Sequence, residues 1–382
     1  MKKRKKHISI ILAILLLVAL GVPAFGEQTS LALDVEGAIL IEATTGQVVY
    51  EQDPHVRWAP ASVTKVMTML LALEAVKEGK VSLEDQVVAS EYACSYGGSQ
   101  LYLEPGEKFT LHEMLLGIAV GSGNDASVAV AEHISGSHEA FIADMNSKVK
   151  ELGLENTNFS NSHGLDAENH YTSAFDMAQI SRYLYTNYPE ILEYTSTKHY
   201  TFREEPLLEL HNTNKLLWWY DGADGFKTGF TSTAKRSLSS TVMRDGLRFI
   251  GVVLGAEQKH GHFRESMKMY NHGFSQFTFN KIHELGEEIA VVPVSKGEVE
   301  DISVVAEETV GFVIRKGEKE DVRVELSLPK ILEAPLEKGQ VVGEIIIYQQ
   351  DQEVARENLI VPFEVKKATF WKQLFRLSDG LY

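Results

Sequence analysis

The sequence predicts an α+β fold: an antiparallel sheet covered by helices, followed by a small all-β domain and a C-terminal amphipathic helix. Three observations lead there. A strand pair near the start is followed by a long stretch of helical periodicity, and strand periodicity then returns, an order that brings the first and last strands together in one sheet under the helices. Beyond about Phe279 the texture becomes short strands of period two with turns at Lys316-Gly317 and Lys338-Gly339, which marks a separate β module. The last residues place Phe370, Trp371, Leu374, Phe375 and Leu377 at helical spacing opposite Lys372, Gln373 and Arg376.

In chain order, residues 36–50 read as a hairpin, with Ala38-Ile39-Leu40-Ile41 and Gln47-Val48-Val49-Tyr50 on either side of Thr44-Thr45-Gly46. Pro60 precedes an apolar run over 61–76 that stops at Gly79, the punctuation of a helix start and end. Helical patterns also cover 111–120, 124–134 and 138–152, and the segment 173–185 opens on Ser-Ala-Phe-Asp, resembling a capping box. Strands are expected over 237–243 and 247–255, joined by Arg244-Asp245-Gly246.

At 382 residues the chain is long enough for a sizeable core and more than one domain. The N-terminus reads as a secretory signal, with basic Lys2 to Lys6, an apolar run over 8–20 and small residues at Ala24 and Gly26. Cleavage after Gly26 is expected, giving a signal at 1–26, a catalytic domain at 27–279, an all-β domain at 280–365 and a membrane-associating tail at 366–382. An uncleaved anchor is the alternative, disfavoured because the apolar run is shorter than the ~20 residues of a span. Either way the bulk of the chain is expected outside the cytoplasm, at the outer face of the membrane. The formal charge is -16, and removing the five basic residues of the first 26 leaves 32 basic against 53 acidic, or -21. Such a surface repels phosphate backbones, so nucleic acid is not expected as a partner. One cysteine, Cys94, excludes an intramolecular disulfide and any cysteine-built metal centre, and no carboxylates cluster at metal-ligand spacing, so no cofactor or metal is expected. Cys94, His163 and the His260/His262 pair read as loop or structural residues.

Three motifs carry the chemistry: Ser62-Val63-Thr64-Lys65, Ser122-Gly123-Asn124 and Lys227-Thr228-Gly229. Ser-x-x-Lys alone says little, because it recurs at Ser147/Lys150, Ser232/Lys235 and Ser327/Lys330. Ser62 is set apart by its place just after Pro60 at the head of an apolar helix. There the i,i+3 spacing stacks hydroxyl and ammonium on one face, and the helix N-terminus favours developing negative charge. Ser-x-Asn and Lys-Thr-Gly each occur once.

These motifs, with Ala59-Pro60-Ala61 before the first, Gly98-Ser99-Gln100, Leu103-Glu104-Pro105-Gly106-Glu107, Asn161-Ser162-His163-Gly164-Leu165 and Asp224-Gly225-Phe226, resemble the serine-type D-alanyl-D-alanine carboxypeptidases. Those are the low-molecular-weight penicillin-binding proteins of the β-lactamase-like superfamily, and the resemblance spans essentially the whole chain. The general signature has Ser-Asp-Asn as its second element. Ser-Gly-Asn is the variant these carboxypeptidases carry. The family look is nearest to its sporulation-associated members.

The resemblance implies removal of the terminal D-alanine from peptidoglycan stem peptides ending in D-Ala-D-Ala, through an acyl-enzyme that β-lactams also form. No histidine is placed by the sequence to activate Ser62, whereas Lys65 can serve once burial and the second cation Lys227 depress its pKa. Ser122 relays a proton to the leaving D-alanine and Asn124 holds the cleft, roles the resemblance implies. The oxyanion is expected between the backbone N–H groups of Ser62 and Phe230, beside Gly229. Thr228 and Arg248 are expected to bind the terminal carboxylate. A class A β-lactamase would need Glu-x-x-x-Asn between the second and third motifs, and none occurs between Asn124 and Lys227. A DD-endopeptidase and a non-catalytic penicillin-binding envelope protein are the remaining alternatives.

Overall fold

The computed structural model describes residues 31–318, 321–349 and 351–369. The expected signal at 1–26 and the aromatic residues of the tail, from Phe370 onward, lie outside the described residues.

The first hairpin forms as expected: β1 (Gly37–Glu42) and β2 (Val48–Gln52) flank the turn at Gly46. A two-stranded sheet of β3 (Gln86–Val88) and β4 (Lys108–Thr110) follows, then a hairpin of β5 (His199–Arg203) and β6 (Leu208–His211). The three long strands β7 (Ala223–Thr231), β8 (Lys235–Arg244) and β9 (Leu247–Ala256) complete a five-stranded antiparallel sheet in the order β2-β1-β9-β8-β7. The first strand thus lies against the last, Ile39 opposite Val252. The β8–β9 turn takes positive φ at both Asp245 (48°) and Gly246 (82°), the backbone that a two-residue hairpin with right-handed twist requires.

Adjacent residues of β8 reveal how the sheet is sandwiched, because neighbours on a strand point to opposite faces. Ser239 bonds to Ser181 of the helix Ala174–Asn187, and Ser240 bonds to Tyr270 of the helix Gly261–Gln276. One helix therefore covers each face. The second of these has no counterpart among the elements read from the sequence. Two glycines and the polar residues His262, Glu265 and Ser266 interrupt its buried stripe, and its packing on Gly251 through Met269 and Tyr270 is a tertiary event.

The helix Lys65–Lys77 is buried nearly all round, as expected for a helix whose apolar residues do not form a stripe. It packs against the helices Asn124–Ser135, His138–Glu151 and Ala174–Asn187. The helix expected over 111–120 is α-helical only over Leu111–Leu116 and continues as a π-helical turn, Gly117–Gly121, ending on Ser122 in the left-handed region (φ 61°). Ser173 caps its helix through Asp176 N, but Asp176 Oδ2 turns away to Asn156 N and Thr157, so the capping box is not reciprocal.

From Phe277 the chain is β throughout the described residues. β10 (Phe277–His283) pairs with β13 (Val310–Arg315). A six-stranded sheet combines β11 (Glu288–Ser295), β12 (Asp301–Ala306), β14 (Val322–Ser327), β15 (Leu332–Glu333), β16 (Val341–Gln349) and β17 (Gln352–Ile360), in the order β14-β16-β17-β12-β11-β15. It encloses a core of its own around Val304, Phe312, Ile345 and Leu359.

Candidate active site

The site begins with an unusual helix entry. Ala61 sits at φ 48°, and the first turn, Ala61–Thr64, is 3-10 before the α-helix starts at Lys65. This turn places Ser62 at the mouth of a pocket of about 370 Å³ and Lys65 one turn inside. Lys65 Nζ lies 3.1 Å from Ser62 Oγ, and donates to Asn124 Oδ1 at 2.7 Å and to the His163 carbonyl at 2.5 Å. The ammonium is fully buried (0% exposed), so three oxygens replace its lost hydration. Burial holds the Lys65 pKa well below its ordinary value, the nearby Lys227 charge pushes it the same way, and Asp125 partly opposes both.

The second motif arrives from the π turn. Left-handed Ser122 breaks that turn and faces the pocket, and two residues later Asn124 opens a new helix. A π turn and a non-glycine residue at positive φ are both features stored at functional sites. Asn124 Nδ2 donates to the Gly97 carbonyl at 2.7 Å, so its amide bridges Lys65 and the 97–103 loop. Buried Asp125 secures the same loop, accepting from Leu101 N and Leu103 N.

The third motif lies on β7. Burial lowers the Lys227 pKa to about 7. Gly229 passes so near the first turn that a Cβ there would meet Pro60 O at 2.8 Å and Ser62 N at 3.1 Å. Glycine at this point lets the strand backbone approach the Ser62 N–H, which sets the Ser62 and Phe230 backbones side by side. Thr228 Oγ1 shares a 2.6 Å hydrogen bond with Thr213 Oγ1.

The pocket wall is basic in a chain of formal charge -16. Lys215, Arg236 and Lys259 line it together with His260 and His262, and among the described residues no acidic side chain does. Arg248 is absent from that wall, which corrects the expectation that it binds substrate carboxylate. Its guanidinium grips Asp224 through two bonds of 2.8 Å, donates to Thr241 Oγ1 and stacks over Tyr185. The reason is register: Arg248 pairs with Met243 beside the start of β7, and Met243 is six residues, or about 20 Å, along β8 from Ser237, the residue opposite Gly229. Arg236, directly opposite Phe230, occupies the pocket end and lies 4.7 Å over the Phe230 ring.

His163 and His260 lie in loops as read from the sequence, and His262 does not. His163 is buried against Tyr96 and its carbonyl is a ligand of Lys65. His262 stands in the first turn of the helix Gly261–Gln276, walls the pocket, and has its pKa pushed down to about 3 by burial and by Arg236. The only sequence signal for either was its place beside a family motif or near the end of β9. Cys94, partly exposed, ends the short helix Glu91–Cys94. A larger groove of about 880 Å³ along the helices Lys65–Lys77 and His138–Glu151 contains none of these residues.

A nucleophilic serine against a buried lysine, on a helix packed under a five-stranded antiparallel sheet, defines the serine hydrolases of the penicillin-binding type. Residues 25–258 match the D-alanyl-D-alanine carboxypeptidase family and residues 277–367 match the C-terminal domain of penicillin-binding protein 5. The chain is 40% identical to D-alanyl-D-alanine carboxypeptidase DacF of Bacillus subtilis over 96% of both chains, and 35% identical to DacA of Escherichia coli over 90% of this chain and 86% of that one. Penicillin-binding protein 5 of Haemophilus influenzae superposes with a TM-score of 0.67 at 34% identity, covering 89% of this chain and 99% of that one. The chain belongs to the D-alanyl-D-alanine carboxypeptidase family.

Proposed function

We propose that the chain removes the terminal D-alanine from peptidoglycan stem peptides ending in D-Ala-D-Ala, and that β-lactams acylate the same serine. The observation that carries this reading is the fully buried Lys65 Nζ, 3.1 Å from Ser62 Oγ with its pKa depressed. Neutral Lys65 takes the Ser62 proton as Oγ attacks the carbonyl carbon of the penultimate D-alanine. The tetrahedral oxyanion settles between the Ser62 and Phe230 N–H groups, each such donor being worth roughly 3 kcal/mol of barrier. Collapse breaks the peptide bond, the departing amine takes the proton from Lys65 through Ser122, and an ester remains on Ser62. Water, deprotonated by the same pair, then hydrolyses the ester and restores the serine. Asn124 holds Lys65 in line throughout. Lys227, Thr228 and Arg236 receive the terminal carboxylate, which restricts cleavage to a chain end. The acid-free pocket wall offers no carboxylate to activate water against a penicilloyl ester, so turnover of penicillin is expected to be slow.

The same reading takes 1–26 as a signal, 27–279 as the catalytic region, 280–365 as the β module and 366–382 as the membrane-associating tail. Export to the outer face of the membrane follows. The test is free D-alanine released from a peptide ending in Lys-D-Ala-D-Ala, with Ser62→Ala alongside. Release and penicillin labelling both vanish in the variant if Ser62 is the nucleophile. Release from a cross-linked peptide but not from the pentapeptide would replace the reading with an endopeptidase.

A further inference from the structure

Outside the active site, the β5–β6 hairpin carries a pair of histidines that the mechanism does not use. His199 and His211 are directly opposite one another in the register, and their Nδ1 atoms are 2.6 Å apart. Both side chains project from the exposed face of the hairpin. Thr201 and Glu209, the next opposed pair on that face, join them around a small depression of about 190 Å³. Two ring nitrogens at that separation have two stable arrangements. Either one donates its hydrogen to the other, or both carry their proton on Nε2 and turn both Nδ1 lone pairs toward one cation.

We propose that this pair is a binding site for a first-row transition-metal ion of the Zn²⁺, Ni²⁺ or Cu²⁺ type. Imidazole is the ligand these ions share. Nitrogens bound at 2.0–2.1 Å to a tetrahedral ion stand about 3.3 Å apart, so the pair opens by under ~1 Å, within reach of two exposed side chains. Their cross-strand placement fixes the Cβ atoms about 5 Å apart without any ion, which removes most of the ordering cost. Among the described residues no group of three or more His, Cys, Asp or Glu closes on an ion. The site therefore takes two protein ligands, with water in the open positions and the Glu209 carboxylate on the same face. That set suits an exchangeable ion rather than a permanent structural one.

Trp218 reports on the site, since its ring lies edge-on to His199 with centroids 5.7 Å apart. The experiment is a Cu²⁺ titration of the full chain, purified without a histidine tag and stripped with chelator, followed by tryptophan fluorescence and by equilibrium dialysis. The expected result is saturable quenching with one equivalent of Cu²⁺, reversed by excess Zn²⁺, which does not quench. Both quenching and the bound equivalent are lost in His199→Ala and in His211→Ala. Those side chains are exposed, so both variants are expected to fold, which circular dichroism checks. Quenching unchanged in the double variant, or no bound equivalent in the parent protein, overturns the proposal and leaves a hydrogen-bonded histidine pair.

Discussion

Burying Lys65 and Lys227 in one pocket sets two cations against each other where water cannot screen them, and the sign of each consequence can be worked out. Both pKa values lie below the 10.5 of a free lysine, with Lys227 at about 7. Unfolded lysines therefore bind more protons than folded ones across that window, and stability rises with pH from about 7 toward 10.5. Holding Lys227 in this state costs up to roughly 5 kcal/mol below neutrality, at about 1.4 kcal/mol per pH unit. Lys227→Met is thus expected to melt higher than the parent at pH 6 and to flatten the rise with pH, as thermal unfolding between pH 6 and 9 would show. Losing that cation also lets the Lys65 pKa rise, so the acid limb of the penicillin acylation rate moves to higher pH; an unmoved limb would dissociate Lys65 from proton transfer. The two arginines separate cleanly. Arg236→Ala is expected to lower kcat/KM for D-alanine release about 10- to 100-fold, the loss of a charged hydrogen bond, with little change in melting. Arg248→Ala strands Asp224 and should cost roughly 2–4 kcal/mol of stability while leaving kcat/KM of the folded protein nearly unchanged.

At the scale of elements, the site depends on three backbones meeting closely at the head of one helix. β7 approaches through Gly229, and the 161–165 loop approaches through Gly164. Gly164 has φ +92°, and a Cβ there would lie 1.9 Å from the Ala61 carbonyl oxygen. That loop supplies the His163 carbonyl to Lys65, so its distance from the first turn fixes the lysine. Gly164→Ala is expected to cost about 3 kcal/mol or more through strain and overpacking, and to slow acylation in whatever fraction remains folded. Urea unfolding with penicillin labelling of the same samples measures both. A variant with parental stability and labelling rate would show that the loop is free to retreat.

For the whole molecule, the proposed docking of the tail on a membrane would bring a chain of formal charge -16 to anionic lipid against its own field. Four basic groups around the tail, Lys366, Lys367, Lys372 and Arg376, offset this locally at about 1 kcal/mol each near a strongly anionic surface. Among the described residues no helix is long and apolar enough to cross a membrane. The chain lacking residues 1–26 is expected to sediment with vesicles containing phosphatidylglycerol and to lose that binding when truncated after Thr369. Equal binding by both forms would move the contact to another surface.

The fold class, the β1–β9 pairing, the helix that carries Ser62 and Lys65, and the three motifs were all legible in the sequence, because they rest on periodicity, turn residues and short fixed spacings. Lys65 and Ser62 are three residues apart, so the helix alone brings them together. The helix Gly261–Gln276 was not legible, since its mixed polarity makes sense only between the sheet and solvent. Nor was the choice between Arg236 and Arg248. Both are strand arginines shortly after Lys-Thr-Gly, and only the register of β7, β8 and β9 puts one at the pocket and the other near the opposite end of the strands against Asp224. The chemistry of Lys65 was likewise settled by tertiary structure. A lysine becomes a base through desolvation and neighbouring charge, and its enclosure by Asn124, His163 and Lys227, each far off in the chain, is something no local spacing specifies.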